Sequence, residues 1–290
     1  MPEGHTIHRL AGRHRELFGG ARVAVSSPQG RFVDGAALLD GLVFETAEAY
    51  GKHLLHRYDG GLVLHVHLGL YGKVSDGVMP VPAPVGQVRM RMASDVHWLD
   101  LRGPTACEVF DEVQVAALKA RLGADPLRDD AGDPGDAVRS SSRPIFALLM
   151  DQSIIAGCGL IYANELLFRA GLAPTTRGRD VPPELWGSMW TDLRALMREG
   201  VDKGRIDTVH TAHTPEVMLR APRVDRHGGE VYVYRRTGQP CHVCGTAIAR
   251  SELAARNLYW CPSCQRPPGR AGRTPGKPRR PAGRPARISR

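Results

Sequence analysis

The chain has 290 residues, 42% hydrophobic and 24% charged, a balance that suits a globular protein and excludes a disordered or fibrous one. No apolar run approaches the roughly 20 residues that cross a bilayer, so a membrane partner is not expected. The formal charge of +9 sits at one end: residues 266–290 hold nine Lys/Arg and no acid, leaving thirty basic residues against thirty acidic ones in the body.

At the N-terminus His, Arg and Glu break up the first 16 positions, which leaves no secretory leader and implies a cytosolic protein, on the nucleoid if bacterial. Helical spacing begins at about Thr6 and runs to Phe18. From there to residue 110 the segments LVFETAEAY, HLLHRY, LVLHVHL and VRMRM read as short strands divided by GK, DGG and MPVPAPVG. This pattern predicts a β-sandwich domain with an N-terminal helix, spanning 1–125. Residues 126–144 turn to Asp, Gly, Ser and Pro and read as a linker. A helical domain over 145–237 follows, with IFALLMDQ and IYANELLFRAG as helices around the SIIAGCG turn. Another helix starts at Pro183 and repeats Leu185, Met189, Leu193 and Leu196 along its core face. The fold class is α+β.

Over 238–265 four cysteines fall as CHVC and CPSC: Cys241, Cys244, Cys261 and Cys264. Two CxxC pairs at this separation predict one structural zinc ion, each pair offering two thiolates from a tight knuckle. The intervening GTAIARSELAARNLYW predicts a two-stranded ribbon bearing Arg250 and Arg256. Residues 266–290 are too rich in Pro, Gly and Arg to bury a core; such an arm adds salt-sensitive, sequence-blind contacts to phosphates or to a protein.

Pro2-Glu3-Gly4, Gly51-Lys52, DQSIIAGCGLIYANELLF and RNLYWCPSCQ occur in that order. Together they resemble the formamidopyrimidine-DNA glycosylase / endonuclease VIII family of base-excision repair enzymes. The resemblance implies a helix–two-turn–helix domain, a zinc finger and damaged DNA, lesion base flipped out, as the partner of a monomer. It implies that Pro2, once Met1 is removed, attacks C1′ as a secondary amine and forms an iminium ion that drives β,δ-elimination. Glu3 would be the general acid/base, Lys52 would contact phosphate and assist elimination, and Arg256 would grip the phosphates flanking the lesion. Arg121 matches a further DNA-contacting arginine, and Leu70-Tyr71, after Gly69, match the wedge of the endonuclease VIII branch.

The chain departs from the family at three places. Gly69 stands where that branch often has glutamine. Leu160 replaces the asparagine of the GxGN turn, leaving Gly157, Gly159 and backbone N–H groups to meet phosphate and predicting weaker DNA affinity. His5-Thr6 replaces Pro-Glu. The segment DLRGPTACEVF lacks the Arg-Phe-Gly loop of members acting on 8-oxoguanine, which makes oxidised pyrimidines the expected substrates. The alternative is a catalytically impaired protein of the same fold that binds abasic or damaged DNA.

Overall fold

The computed structural model describes residues 2–225 and 229–268; the basic tail from residue 269 onward lies outside the described residues. Helix α1 (Gly4–Phe18) buries Ile7, Ala11, His14 and Phe18, a stripe at the 4-3-4 spacing of one helix face. It starts earlier than the Thr6 of the sequence pattern because the Glu3 carbonyl already accepts the Thr6 N–H at 2.9 Å.

Next come β1 (Ala24–Ser26), α2 (Val33–Leu39), β2 (Phe44–Tyr50), β3 (His53–Tyr58) and β4 (Val63–His67). Then β5 (Lys73–Val78), β6 (Val88–Ala93), β7 (His97–Arg102) and β8 (Ala106–Phe110) complete the domain's strands. They form two antiparallel sheets, in the orders β1-β6-β7-β5 and β2-β3-β4-β8. Met90, Met92, Leu99 and Leu101 from one sheet meet Phe44, Leu54, Tyr58 and Leu64 from the other, giving the expected sandwich. On the outer face of the second sheet, α3 (Glu112–Ala120) seats Val115 and Leu118 against Leu55 and Val63. Asp111 and Gln114 close a capping box at its start.

The 126–144 stretch differs from its reading as a linker. It carries α4 (Gly135–Arg139), buries Val138 completely, and its Asp133 carboxylate accepts the Trp186 indole N–H at 2.7 Å. Polar composition hid a segment anchored by one fully buried valine and one indole hydrogen bond.

The helical domain contains α5 (Ile145–Leu149), α6 (Leu160–Arg169), α7 (Pro183–Lys203) and α8 (Pro215–Met218). Helix α7 begins with proline in its first turn, where the missing N–H is no loss, and ends on Gly204 at φ 69°. Helix α6 is buried from Leu160 through Phe168, an axis around which the domain is built. Strands β9 (Ala249–Leu253) and β10 (Arg256–Trp260) form the expected ribbon, paired from Arg256↔Leu253 to Trp260↔Ala249. Helix α1 joins the two larger units, packing on β2 and β3 on one side and on α7 on the other.

Candidate active site

Glu3 is fully buried, although it is the third residue of the chain. Its carboxylate lies at the N-terminus of α6, accepting the Ile161 N–H at 2.8 Å and, more loosely, the Tyr162 N–H at 3.4 Å. Those are free first-turn donors at the positive end of the helix dipole, a natural seat for an anion. Burial raises the Glu3 pKa, while the Lys52 charge and the two N–H groups pull it back down. The net direction is upward, so the group holds its proton more readily than an ordinary carboxylate.

Two glycines make this seat possible. A Cβ on Gly159 would lie 2.4 Å from the Glu3 carboxyl carbon. Gly157, at φ 89°, accepts the Gly4 N–H on its carbonyl at 2.9 Å; a Cβ there would come 3.3 Å from the Cα atoms of both Gly4 and Gly51. Three backbones thus converge without side chains between them: the chain start, the Lys52 turn and the α5–α6 turn. Gln152 fixes the last of these, its Oε1 accepting the Gly157 N–H at 3.0 Å and its Nε2 donating to the Cys158 carbonyl at 2.8 Å. Gly157 and Gly159 are buried against the N-terminal segment. Leu160, only 9% exposed, belongs to the helical core.

Lys52 occupies the tight β2–β3 turn. The fully buried Asp125 holds that turn, accepting the Gly51 N–H at 2.7 Å, with His8 Nε2 of α1 at 2.8 Å from the same oxygen. His5 is buried beside Tyr162, with ring centroids 5.4 Å apart and its Nε2 3.2 Å from the Thr6 hydroxyl. Burial lowers its pKa to about 4, so it is a neutral ring at physiological pH. The structure therefore brings Pro2, Glu3, Lys52, Gly157 and Gly159 into one junction.

The remaining sequence-derived residues stand on other elements. Leu70 and Tyr71 project from the β4–β5 turn at 57% and 82% exposure. Gly69 in that turn has φ 64°, which side chains rarely adopt, and a Cβ there would meet the Thr105 hydroxyl at 1.9 Å, so a side chain at this position requires Thr105 to move. Arg121 is the exposed C-cap of α3. Its charge and that of Lys52 act on a histidine strip along β3 and β4, where His53 Nδ1 lies 2.9 Å from His65 Nε2. Arg256 is exposed at the ribbon tip, just after Ala254 and Ala255, both in the left-handed region at φ 52° and 56°.

The four cysteine sulfurs lie within 4.8 Å of one another, with 3.9 Å between Cys241 and Cys264 and 3.5 Å between Cys244 and Cys261. Zinc–sulfur bonds of about 2.3 Å at tetrahedral angles place sulfurs about 3.8 Å apart. The Val243 N–H donates to Cys241 Sγ at 3.4 Å and the Cys264 N–H to Cys261 Sγ at 3.5 Å, as in metal-binding knuckles. The donor set fits one structural zinc ion.

The sequence reading missed Asp125, Gln152, Asn164 and Glu165. Asp125 pairs with His8 and Gly51, Asn164 with Tyr259, and Glu165 with Thr208 and the N–H groups of Tyr232, Val233 and Tyr234, all distant in sequence, while Gln152 bonds within its own turn; no spacing rule marks any of them.

Three family models match the chain in order: the formamidopyrimidine-DNA glycosylase N-terminal domain over residues 1–107, the formamidopyrimidine-DNA glycosylase H2TH domain over 122–211, and the zinc finger found in FPG and IleRS over 238–267. A Mycobacterium tuberculosis protein named "Endonuclease 8 1" is 50% identical over 275 residues, covering 91% of this chain and all of that protein. The formamidopyrimidine-DNA glycosylase of Thermus thermophilus is 31% identical over 274 residues, 91% of this chain and 98% of its own. The solved complex of Lactococcus lactis Fpg with abasic-site DNA shares the fold at a TM-score of 0.74 and 20% identity, covering 91% and 99% of the two chains. Among the described residues no helix is long and apolar enough to cross a membrane.

Proposed function

The chain belongs to the formamidopyrimidine-DNA glycosylase / endonuclease VIII family, and from that premise we propose how its residues divide the work of a DNA N-glycosylase and AP lyase of base excision repair. Pro2, freed by removal of Met1, attacks C1′ of the flipped-out nucleotide; the C1′–N bond breaks and its electron pair leaves with the base, which is protonated. The amine loses its proton and the C1′–O4′ bond breaks with O4′ taking up a proton, opening the sugar ring; the iminium ion so formed acidifies the 2′ hydrogen. Loss of that proton to a base lets the C3′–O bond break and the 3′ phosphate depart, and a second elimination releases the 5′ phosphate.

Glu3 supplies the proton that opens the sugar ring. The observation that carries this role is its complete burial at the α6 N-terminus, next in sequence to Pro2 and within the field of Lys52. Lys52 holds phosphate and assists elimination, and Arg256 holds the flanking backbone. Arg121 adds a further backbone contact. Gly157 and Gly159 serve DNA indirectly in this reading, by letting Glu3 and the Lys52 turn close on α6.

Oxidised pyrimidines are the proposed substrates, with Leu70 and Tyr71 filling the gap left by the extruded nucleotide. Their exposure and the 50% identity to a protein named "Endonuclease 8 1" support this choice. The site residues fall in a catalytic unit over 1–125, a helical unit over 145–237 and a finger over 238–265. A substrate of chromosomal DNA puts the enzyme in the cytoplasm, where it acts as a monomer.

The test is borohydride trapping on a duplex with one abasic site, comparing wild type with Pro2→Gly. A covalent adduct with wild type alone is expected. An equal adduct with both would move the nucleophile to another amine, and none from a DNA-binding protein lacking Met1 would favour the non-catalytic alternative.

A further inference from the structure

Helix α6 carries, one turn beyond the donors that hold Glu3, a fully buried asparagine with both ends of its amide engaged. Asn164 Nδ2 donates to the Leu160 carbonyl at 2.7 Å, and Asn164 Oδ1 accepts the Tyr259 N–H, also at 2.7 Å. Tyr259 lies on β10, between Arg256 at the ribbon tip and the zinc-ligand candidate Cys261. The amide thus ties a backbone donor of the finger to the first turn of α6, whose neighbouring N–H groups seat Glu3.

We propose that Asn164 is a positioning residue that sets the finger strand, and with it Arg256, in register with the Glu3 end of α6. The inference rests on the role given above to Arg256. Hydrogen bonds farther along the chain from Arg256 also tie finger to helical domain: the Arg266 N–H donates to the Gly171 carbonyl at 2.9 Å and Gln265 Nε2 to the Leu172 carbonyl at 3.1 Å, both beyond Cys264. They anchor the finger's C-terminal end, while Leu258 and Tyr259 pack into the helical core, a non-directional contact that does not by itself fix the hydrogen-bond register of the ribbon. Asn164 grips the ribbon itself, through a backbone N–H that an inward shift of the strand would leave buried and unpaired. Its amide offers one donor and one acceptor in fixed geometry, which selects one register of β10 on α6. Leu160 leaves the preceding turn without a polar side chain, so phosphate grip depends more heavily on a well-placed Arg256.

The test is a double-mutant cycle on abasic-site duplex, with Arg256→Ala, Asn164→Ala and the pair, each confirmed to carry one zinc per chain. Asn164→Ala should raise KM roughly tenfold while the single-turnover trapping rate at saturating DNA stays within about twofold of wild type. In the Arg256→Ala background it should raise KM no further, because its effect passes through that guanidinium. Asn164→Asp turns a carboxylate oxygen towards the Leu160 carbonyl, so it should restore affinity only as pH falls and its protonated carboxyl supplies both the acceptor for the Tyr259 N–H and a donor for Leu160. Full additivity, or an unchanged KM in Asn164→Ala, would overturn the proposal while leaving the role of Arg256 intact. Loss of zinc from both position-164 variants would also overturn it, making the side chain a folding determinant only. No KM effect of Arg256→Ala itself would instead remove the premise.

Discussion

At the scale of single residues the site stores an electrostatic conflict in Glu3. Its carboxylate is buried deeply enough that desolvation outweighs Lys52 and two helix N–H groups, and its pKa rises in the folded chain. A carboxyl whose folded pKa lies above the unfolded 4.5 contributes most below that value, and its contribution is lost as pH rises through the folded pKa. Glu3→Gln should therefore abolish base release and yet melt higher than wild type at pH 7.5. The gain should shrink as pH falls to 4.5 and vanish below it, where both states are protonated. Thermal melts at the two pH values decide it; a variant that melts lower at pH 7.5 would show that the ionised form is well compensated. The motif Pro2-Glu3-Gly4 makes Glu3 legible in the sequence, but its conflict is not legible, because burial of the third residue depends on Gly157 and Gly159 some 150 positions away.

At the scale of elements, legibility followed the chemistry of each face. Strand β6 buries alternating apolar residues and β4 buries Val63, Leu64 and Val66 around His65, and both read clearly from the sequence. Strand β7 conceals itself, since its buried Asp100 is neutralised by Arg91 Nε at 2.7 Å and Arg102 at 2.8 Å, partners no local pattern predicts. Asp125 is the same case at the candidate active site, a carboxylate next to the supposed linker that proves to be the clamp of the Lys52 turn. With its carboxylate removed, the Gly51 N–H and His8 lose their common acceptor and the turn loosens while Pro2 and Glu3 stay in place. Asp125→Ala should accordingly slow strand cleavage about tenfold, with base release affected less. Single-turnover assays that follow base and nicked strand separately would show it; equal slowing of both would assign Asp125 to overall stability instead.

At the scale of the whole molecule, helix α1 is the beam shared by both cores, and histidines lie along it and against it. His14 Nδ1 sits 2.9 Å from His56 Nε2 of β3, and the outer nitrogens of this pair, His14 Nε2 and His56 Nδ1, are buried without hydrogen-bond partners. In the neutral pair one ring donates across this contact and the accepting ring carries its own proton on its outer nitrogen; a further proton would place a charge in the core with no partner at either outer nitrogen. Burial lowers His14 to about 4 and His5 to about 4, and holds His56 well below its usual value. Groups with depressed folded pKa values contribute stability that is fully present above the unfolded 6.5 and lost as pH falls towards 4, because the unfolded chain takes up protons that the native one refuses. For His14 and His5 such a shift is worth on the order of 3 kcal/mol once the pH is below both values. Glu3 works in the opposite sense, but it is one group against several. Stability should thus be nearly flat from pH 8 to 7 and fall steeply from 6.5 to 4, with net proton uptake on unfolding. Since α1 packs on β2 and β3 and also on α7, the loss should be cooperative, taking the Glu3 seat with it. Denaturant titrations across that pH range, read by finger and sandwich probes together, would show one coincident transition; a flat profile down to pH 5 would mean that the histidines find acceptors on protonation.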